Sequence, residues 1–294
     1  MKIRSLILTI LVSIIFPTFS IVAVDTTNGE IGSAGASCIA NSIIISDIYP
    51  GVGAIHTQSF WNGVNQQNAG MLMEQGYSPE YIIDYLINND VSNNSEIRQY
   101  GIVDLIGFGR SASFTGSGCF DYKGHIIGNG YAIQGNILLN PQILEQMETN
   151  FLAHEGPLSE RLMFSMQGAN VAGADERCLE DGISSLSSFI RVAKIDDQYD
   201  DYYLDINVAN VAGGYIDPID SLQTVFDSWL VENTEFLAGD LNNDLIIDIL
   251  DIIIVINIIF ENINPEFWQE LAADMDANGI VNIIDIIQIV NNIV

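Results

Sequence analysis

The chain repeats itself where it can least afford to collapse unaided. GDLNNDLIIDILDIIIVINII, beginning at Gly239, is echoed by ADMDANGIVNIIDIIQIVNNI, with the first acidic residues, Asp240 and Asp274, 34 residues apart (274 − 240). A calcium loop places oxygen ligands at positions 1, 3, 5, 7 (a main-chain carbonyl), 9 and 12. In the first copy these positions fall on Asp240, Asn242, Asp244, the Ile246 carbonyl, Asp248 and Asp251. In the second they fall on Asp274, Asp276, Asn278, the Ile280 carbonyl, Asn282 and Asp285. Every side-chain position is Asp or Asn in both copies, and position 8 is apolar in both (Ile247, Val281). So much carboxylate in so short a turn repels itself unless a cation sits within it. The repeat therefore predicts two calcium ions.

Position 6 is the sharp turn of such a loop. It is Gly279 in the second copy and Leu245 in the first. A non-glycine residue at positive φ costs about 1 kcal/mol, up to about 2. Four carboxylates around one ion offset that cost, so the leucine weakens the first site without abolishing it. One helix is expected after each loop, IIIVINIIF and IIQIVNNIV, and none is evident before either.

Charge supports a cation-seeking chain. Nine basic residues face 38 acidic ones, a formal net charge of −29, and no Lys or Arg follows Lys194. Nucleic acid and anionic membrane surfaces are poor partners for such a chain. Hydrophobic residues make up 48% of it, enough for a packed core in 294 residues. At the start, Lys2 and Arg4 precede an apolar run from Leu6 to Phe16, which is the layout of a secretory signal peptide and short for a membrane span. Residues 1–17 are accordingly expected to be removed, with the boundary as late as residue 23, leaving no transmembrane span; the alternative is an uncleaved anchor, because apolar residues resume after Pro17 and Thr18. Cys38, Cys119 and Cys178 are too few for a disulfide framework or a zinc set. One pair can bridge in an exported protein, and the sequence does not say which.

Residues 18–235 read as the body. SIVAVD, the turn signal TTNG and a small-residue return strand make a hairpin. GVGAIHTQSFWN reads as a strand, and NGVNQQNAGMLMEQG and SPEYIIDYLINND as helices. YGIVDL, SASFTG and GYAIQGNILLN follow as strands, then PQILEQMETNFLAHEG and GPLSERLMFSMQG as helices. SSLSSFIRVA and DDYYLDINV read as late strands and DPIDSLQTVFDSWL as a closing helix. Strands, helices, then strands again predict sheets covered by helices, an α+β layering. No HExxH pattern, phosphate loop, GxSxG elbow or spaced His/Cys metal set occurs.

TFSIVA, VGAIHTQSF, RQYGIVD, SFTG, GHIIGNGYAIQGNIL, GPLSERLM and GADERC, in that order over residues 18 to about 230, closely resemble the bacterial family called domain of unknown function 1028. The resemblance implies a four-layer αββα fold like that of the N-terminal-nucleophile (Ntn) hydrolases, with no settled activity. In that class the nucleophile is a Thr, Ser or Cys at a freshly exposed chain start, activated by its own α-amine, whose ordinary pKa near 8 suits a base. Thr18 is the candidate here, with Ser20 behind it; the alternative is that both are β-formers in an edge strand. His56, Thr57 and Gln58 in AIHTQSF, and Gln134 and Asn136 in AIQGNIL, are the polar residues to line a site, the Asn136 amide as an oxyanion donor. Gly135 between them would let a backbone approach closely. Asp175 and Arg177 can pair or orient a carboxylate. His125 and His154 read as surface or capping residues.

The duplicated loop-plus-helix units, with Asp at position 12, resemble the type I dockerin module over about residues 238–294, within a tail domain of residues 236–294. That resemblance implies a small all-α calcium-binding domain that docks onto a cohesin domain of a scaffold or cell-surface protein, and hence a secreted or surface-attached protein. Contacts are implied at loop positions 10 and 11, here Ile249 and Leu250, matched by Ile283 and Ile284, and along the following helix. Its near-symmetry lets either copy face the partner. The helices lack the Lys and Arg common in dockerins, so an alternative is that they bury themselves against each other or against the body and the tail is a calcium-clamped cap. Dockerins often accompany polysaccharide-degrading enzymes, but the body shows no paired carboxylates at readable spacing.

Overall fold

The computed structural model describes residues 18–209, 216–233 and 236–293; the predicted signal peptide, residues 1–17, lies outside them. The chain divides into two units, Met1–Gln223 and Thr224–Val294.

Among the described residues of the first unit, ten strands form two sheets. The hairpin is β1 (Phe19–Asp25) and β2 (Glu30–Ser37), closed with Asp25 opposite Glu30, as the TTNG signal requires. β3 (Ser46–Tyr49), β4 (Gly53–Ser59), β5 (Arg98–Asp104) and β6 (Arg110–Thr115) make a four-stranded antiparallel sheet in sequence order. β7 (Gly124–Gly128), β8 (Tyr131–Gly135), β9 (Ser187–Ala193) and β10 (Leu204–Val208) join the hairpin in a six-stranded sheet, ordered β10-β9-β2-β1-β8-β7. β1 is thus interior, paired to β2 on one side and β8 on the other, and not the edge strand that was one reading of it. β3 and β7 escape pattern reading because they are short and only half-buried.

The two sheets face each other. Strand alternation sends Val22, Val24, Ile31, Ile48, Ala54, Val103, Ala132 and Ala193 into the space between them. The opposite faces carry helices. α1 (Gly63–Glu74) starts at Asn62, whose side chain accepts from Val64 N and Asn65 N, and α2 (Pro79–Asn88) starts at Ser78 with proline in its first turn. Both pack on the four-stranded sheet, where Ala69, Met73, Ile82 and Leu86 meet Ile55, Tyr100 and Ile102. α3 (Gln142–Ala153) and α4 (Leu158–Gly168) cover the six-stranded sheet. Tyr131 of β8 meets Phe151 of α3, and Gly32 of β2 leaves room for Leu158 and Leu162 of α4. The result is a four-layer αββα sandwich. α5 (Pro218–Asn233) follows, its first turn tied to β9 by Ser188 Oγ donating to Pro218 O.

The second unit contains α6 (Ile249–Ile259), α7 (Phe267–Ala273) and α8 (Ile283–Ile293). Its core is Leu241, Ile252, Val255, Ala272, Ala273 and Ile289. α7 corrects the expectation that no helix precedes a loop, because it runs directly into Asp274. Its seven residues offer too short a period to read, and it is held by a reciprocal cap between Glu266 and Gln269.

Cys38 and Cys178 form a disulfide across 140 residues, and Cys119 is buried and free. The bridge ties the end of β2 to the turn around Asp175, whose carboxylate also accepts from Cys38 N. Replacing both partners by alanine is expected to lower stability by about 2–5 kcal/mol in denaturant unfolding, while Cys119→Ala leaves the bridge and a native spectrum intact.

Candidate functional site

The space between the sheets changes character along its length. On the same face where Val24 and Val22 are apolar, β1 continues to Ser20 and Thr18. β2 passes from Ile31 to Ser33, and β3 from Ile48 to Ser46. β4 passes from Ala54 to His56 and Gln58, β5 from Val103 to Gln99, and β8 from Ala132 to Gln134 and then Asn136. One end of the sandwich is hydrocarbon and the other is a layer of buried carboxamides, hydroxyls and one imidazole.

Buried polar groups must be hydrogen-bonded, and here the partners are one another. Ser20 Oγ donates to Gln58 Oε1 at 2.6 Å and accepts from Gln134 Nε2 at 2.7 Å. Gln58 Nε2 donates to Thr18 O and to Gln99 Oε1, which also accepts from Asn136 Nδ2. Gln99 Nε2 donates to Thr115 Oγ1 and to the carbonyls of Gly124 and Gly135. Asn136 N donates to Thr18 O at 3.1 Å. Gln134 Nε2 lies 3.2 Å from His56 Nδ1, and His56 Nε2 lies 2.6 Å from Ser33 Oγ, itself 2.7 Å from Ser46 Oγ. An amide N–H can only donate, so His56 Nδ1 accepts and its proton sits on Nε2. Two acceptors in this layer, Gln134 Oε1 and Asn136 Oδ1, are buried with no hydrogen-bond partner.

Thr18, His56, Gln58 and Asn136, scattered over the sequence, therefore stand in one network. Thr57 does not join them: one residue out of phase, it faces α1 and donates to Gln66 Oε1. Gly135 opens no approach for a backbone, since a Cβ there would meet the Leu138 side chain. The position that needs glycine is Gly101, whose Cβ would occupy the Gln134 carboxamide. Gln99 and Ser33 were missed by sequence reading because a lone Gln and a lone Ser carry no motif. Asp175 pairs with Arg177 at 2.9 Å within a tight turn, and His154 caps α3 against Glu160.

The tail loops can be compared residue by residue. At position 1, Asp240 Oδ2 accepts from Leu245 N and Asp274 Oδ2 from Gly279 N. At position 5, Asp244 accepts from Ile246 N and Asn278 from Ile280 N. At position 9, Asp248 accepts from Leu250 N and Asn282 from Ile284 N. At position 12, Asp251 reaches back to Leu241 N and Asp248 N, as Asp285 does to Met275 N and Asn282 N. Position 6 has positive φ in both, 67° at Leu245 and 80° at Gly279. The residues fit a cation: one carboxylate oxygen each from Asp274, Asp276 and Asp285 lie within 4.8 Å of one another, and Asp240 Oδ1 is buried without a partner.

Beyond the loops, Ile249, Leu250, Ile253 and Ile256 of α6 are exposed, and so are Ile283, Ile284, Ile287 and Val290 of α8. The two sets are related by the same 34-residue offset. Each helix buries one face in the tail core and shows an apolar stripe on another.

The first unit is an αββα sandwich with a polar layer at one end of its inter-sheet space, and the second a helical module built on two acidic loops. Residues 18–218 match the model of the family of unknown function DUF1028, and the chain belongs to that family. Residues 238–294 match the dockerin type I domain, a module that binds calcium. A DUF1028 protein of Silicibacter pomeroyi shares the fold with a TM-score of 0.60 at 22% identity, over 73% of this chain and 89% of that one. The ancestral β-subunit Anbu of Yersinia bercovieri aligns over 74% of this chain and 99% of its own, at 10% identity and a TM-score of 0.36. Comparison with curated proteins gives no match. Among the described residues no helix is long and apolar enough to cross a membrane.

Burial above all, with Arg191 adding to it, lowers the His56 pKa to about 3, against an ordinary value of 6.5. Between those values the unfolded chain binds the proton and the folded chain does not. Stability therefore falls as pH drops from 6.5 toward 3, by up to about 1.4 kcal/mol per pH unit. His56→Gln is expected to be less stable at pH 7 but to lose about 2 kcal/mol less than the parent between pH 7 and pH 5, measured by urea unfolding.

Proposed function

We propose that this protein is exported, and that its tail binds two calcium ions and docks onto a cohesin-like domain of a scaffold or surface protein, displaying the Ntn-hydrolase-like body. The observation that carries this reading is the agreement of the two loops in main-chain hydrogen bonding, down to the positive φ at position 6. Asp240, Asn242, Asp244, Asp248, Asp251 and the Ile246 carbonyl would hold one ion. Asp274, Asp276, Asn278, Asn282, Asp285 and the Ile280 carbonyl would hold the other. Ile249, Leu250, Ile283 and Ile284 would meet the partner, with Ile253, Ile256, Ile287 and Val290 extending each stripe. The Cys38–Cys178 disulfide supports an oxidising compartment.

Calcium titration of the full chain, followed by Trp268 fluorescence and circular dichroism, is expected to show two bound ions and loss of tail helix with chelator. Leu245→Gly should tighten the weaker ion about fivefold, the equivalent of relieving about 1 kcal/mol of left-handed strain. A spectrum indifferent to calcium, or a Leu245→Gly variant with unchanged affinity, defeats the reading.

A second reading concerns the body, where Gln58 and Asn136 both hold the Thr18 carbonyl at the head of β1. A chain beginning at Thr18 would carry an α-amine beside its own hydroxyl. The amine takes the hydroxyl proton as oxygen attacks an amide carbon, then returns it to the leaving amine, and water hydrolyses the ester. Asn136 and the buried acceptors Gln134 Oε1 and Asn136 Oδ1 lie in the same network. N-terminal sequencing of the mature protein is expected to begin at Thr18; any other start removes the amine and ends this mechanism.

A further inference from the structure

The body has a second polar place, on the opposite face of the four-stranded sheet. One stripe of α1 faces β3 and the β9–β10 connection across a cleft of about 440 Å³, within the range of small-molecule sites. Six side chains set its chemistry: Asp47 and Tyr49 of β3, Trp61 ahead of α1, Gln66 and Glu74 of α1, and Tyr199. The fold makes room for them. Gly70 of α1 lacks a Cβ where the Tyr49 phenol lies, and a Cβ on Gly63 would come within 3.1 Å of the Trp61 ring.

The polar groups are fixed in orientation. Tyr49 Oη donates to Asp47 Oδ2 at 3.0 Å and Tyr199 Oη to Asp47 Oδ1 at 2.6 Å, with the two rings 5.6 Å apart. Burial holds the Asp47 carboxyl above the usual carboxylate range, and the two tyrosine hydroxyls pull it back. Gln66 Oε1 accepts from Trp61 Nε1 at 2.6 Å and Thr57 Oγ1 at 2.8 Å. An indole N–H can only donate, so the carboxamide cannot flip, and its Nε2 hydrogens are left for the cleft. Three aromatic rings, two carboxylates and one amide donor converge here. Rings and carboxylates together favour a cation, since the aromatic quadrupole attracts it and the acids neutralise it. The excess of acid over the whole chain adds to that field and disfavours anions.

We propose that this cleft binds a small organic ammonium compound with a hydroxyl or carbonyl oxygen near its nitrogen, the cation among Tyr49, Trp61 and Tyr199 beside Asp47 and Glu74, and the oxygen on Gln66 Nε2. The experiment is a calorimetric titration of the full chain, at fixed calcium and ionic strength, with choline and with its neutral isostere 3,3-dimethylbutanol. Choline is expected to bind at least about tenfold more tightly than the alcohol, as a desolvated cation–π contact implies. Tyr199→Ala, at a residue exposed enough to keep the fold, should weaken choline about tenfold, and Asp47→Asn should narrow the gap between the two ligands. Equal affinity for both ligands, no binding up to about 10 mM, or choline binding untouched by Tyr199→Ala overturns the proposal. Cosedimentation of the protein with phosphatidylcholine vesicles, with no binding of free choline, would assign the cleft to a lipid headgroup and overturn the free-ligand reading.

Discussion

The body depends on one physical constraint: polar side chains at one end of the inter-sheet space must satisfy each other, because little else can. Burying a carboxamide without partners costs several times what a made hydrogen bond returns, so the network is held as a unit. Gln99 illustrates the coupling. Its oxygen accepts from Gln58 on the neighbouring strand and from Asn136 of the facing sheet, while its nitrogen ties β6, β7 and β8 together through Thr115, Gly124 and Gly135. Sheet spacing, the absence of a side chain at Gly101 and the neutral state of His56 follow from the same requirement. Closely packed apolar side chains at the other end hold the sheets together and leave the polar end to specify their alignment.

The tail is organised on the opposite principle. Its core is small, and its loops spend most side-chain oxygens on their own backbone amides, which fixes the turn while concentrating negative charge within it. A module of this size ordinarily needs a staple, and a divalent ion is one such staple. The exposed stripes on α6 and α8 are what remains after each helix has buried Ile252 and Val255, or Ile289, in that core. Two like stripes, offset by the repeat, give the module two equivalent faces.

Much of this was legible in the sequence for identifiable reasons. The loops were readable because metal coordination imposes oxygen at fixed intervals, a local rule that survives any fold. The β1–β2 hairpin was readable from alternation and TTNG, and α1 and α2 from their helical patterns. Others were not: β3 and β7 are short and only half-buried, and α7 spans only seven residues, about two turns. The disulfide was equally closed to inspection, since three cysteines allow three pairings and only the approach of the β2 end to the Asp175 turn selects Cys38 with Cys178.

Sequence by itself thus determined the local chemistry: acidic loops at set spacing, the alternation of each strand, the sign of the charge. Tertiary structure alone decided which of those residues meet. Thr18, Gln58, Gln99, Gln134 and Asn136 share a layer because six strands from two sheets happen to end their apolar runs at the same level, and no single strand carries that information. The cleft of Asp47, Trp61 and Tyr199 is of the same kind, joined from segments more than a hundred residues apart by the docking of α1 and the β9–β10 connection against β3. Side-chain type is written one residue at a time, whereas proximity is written only by packing.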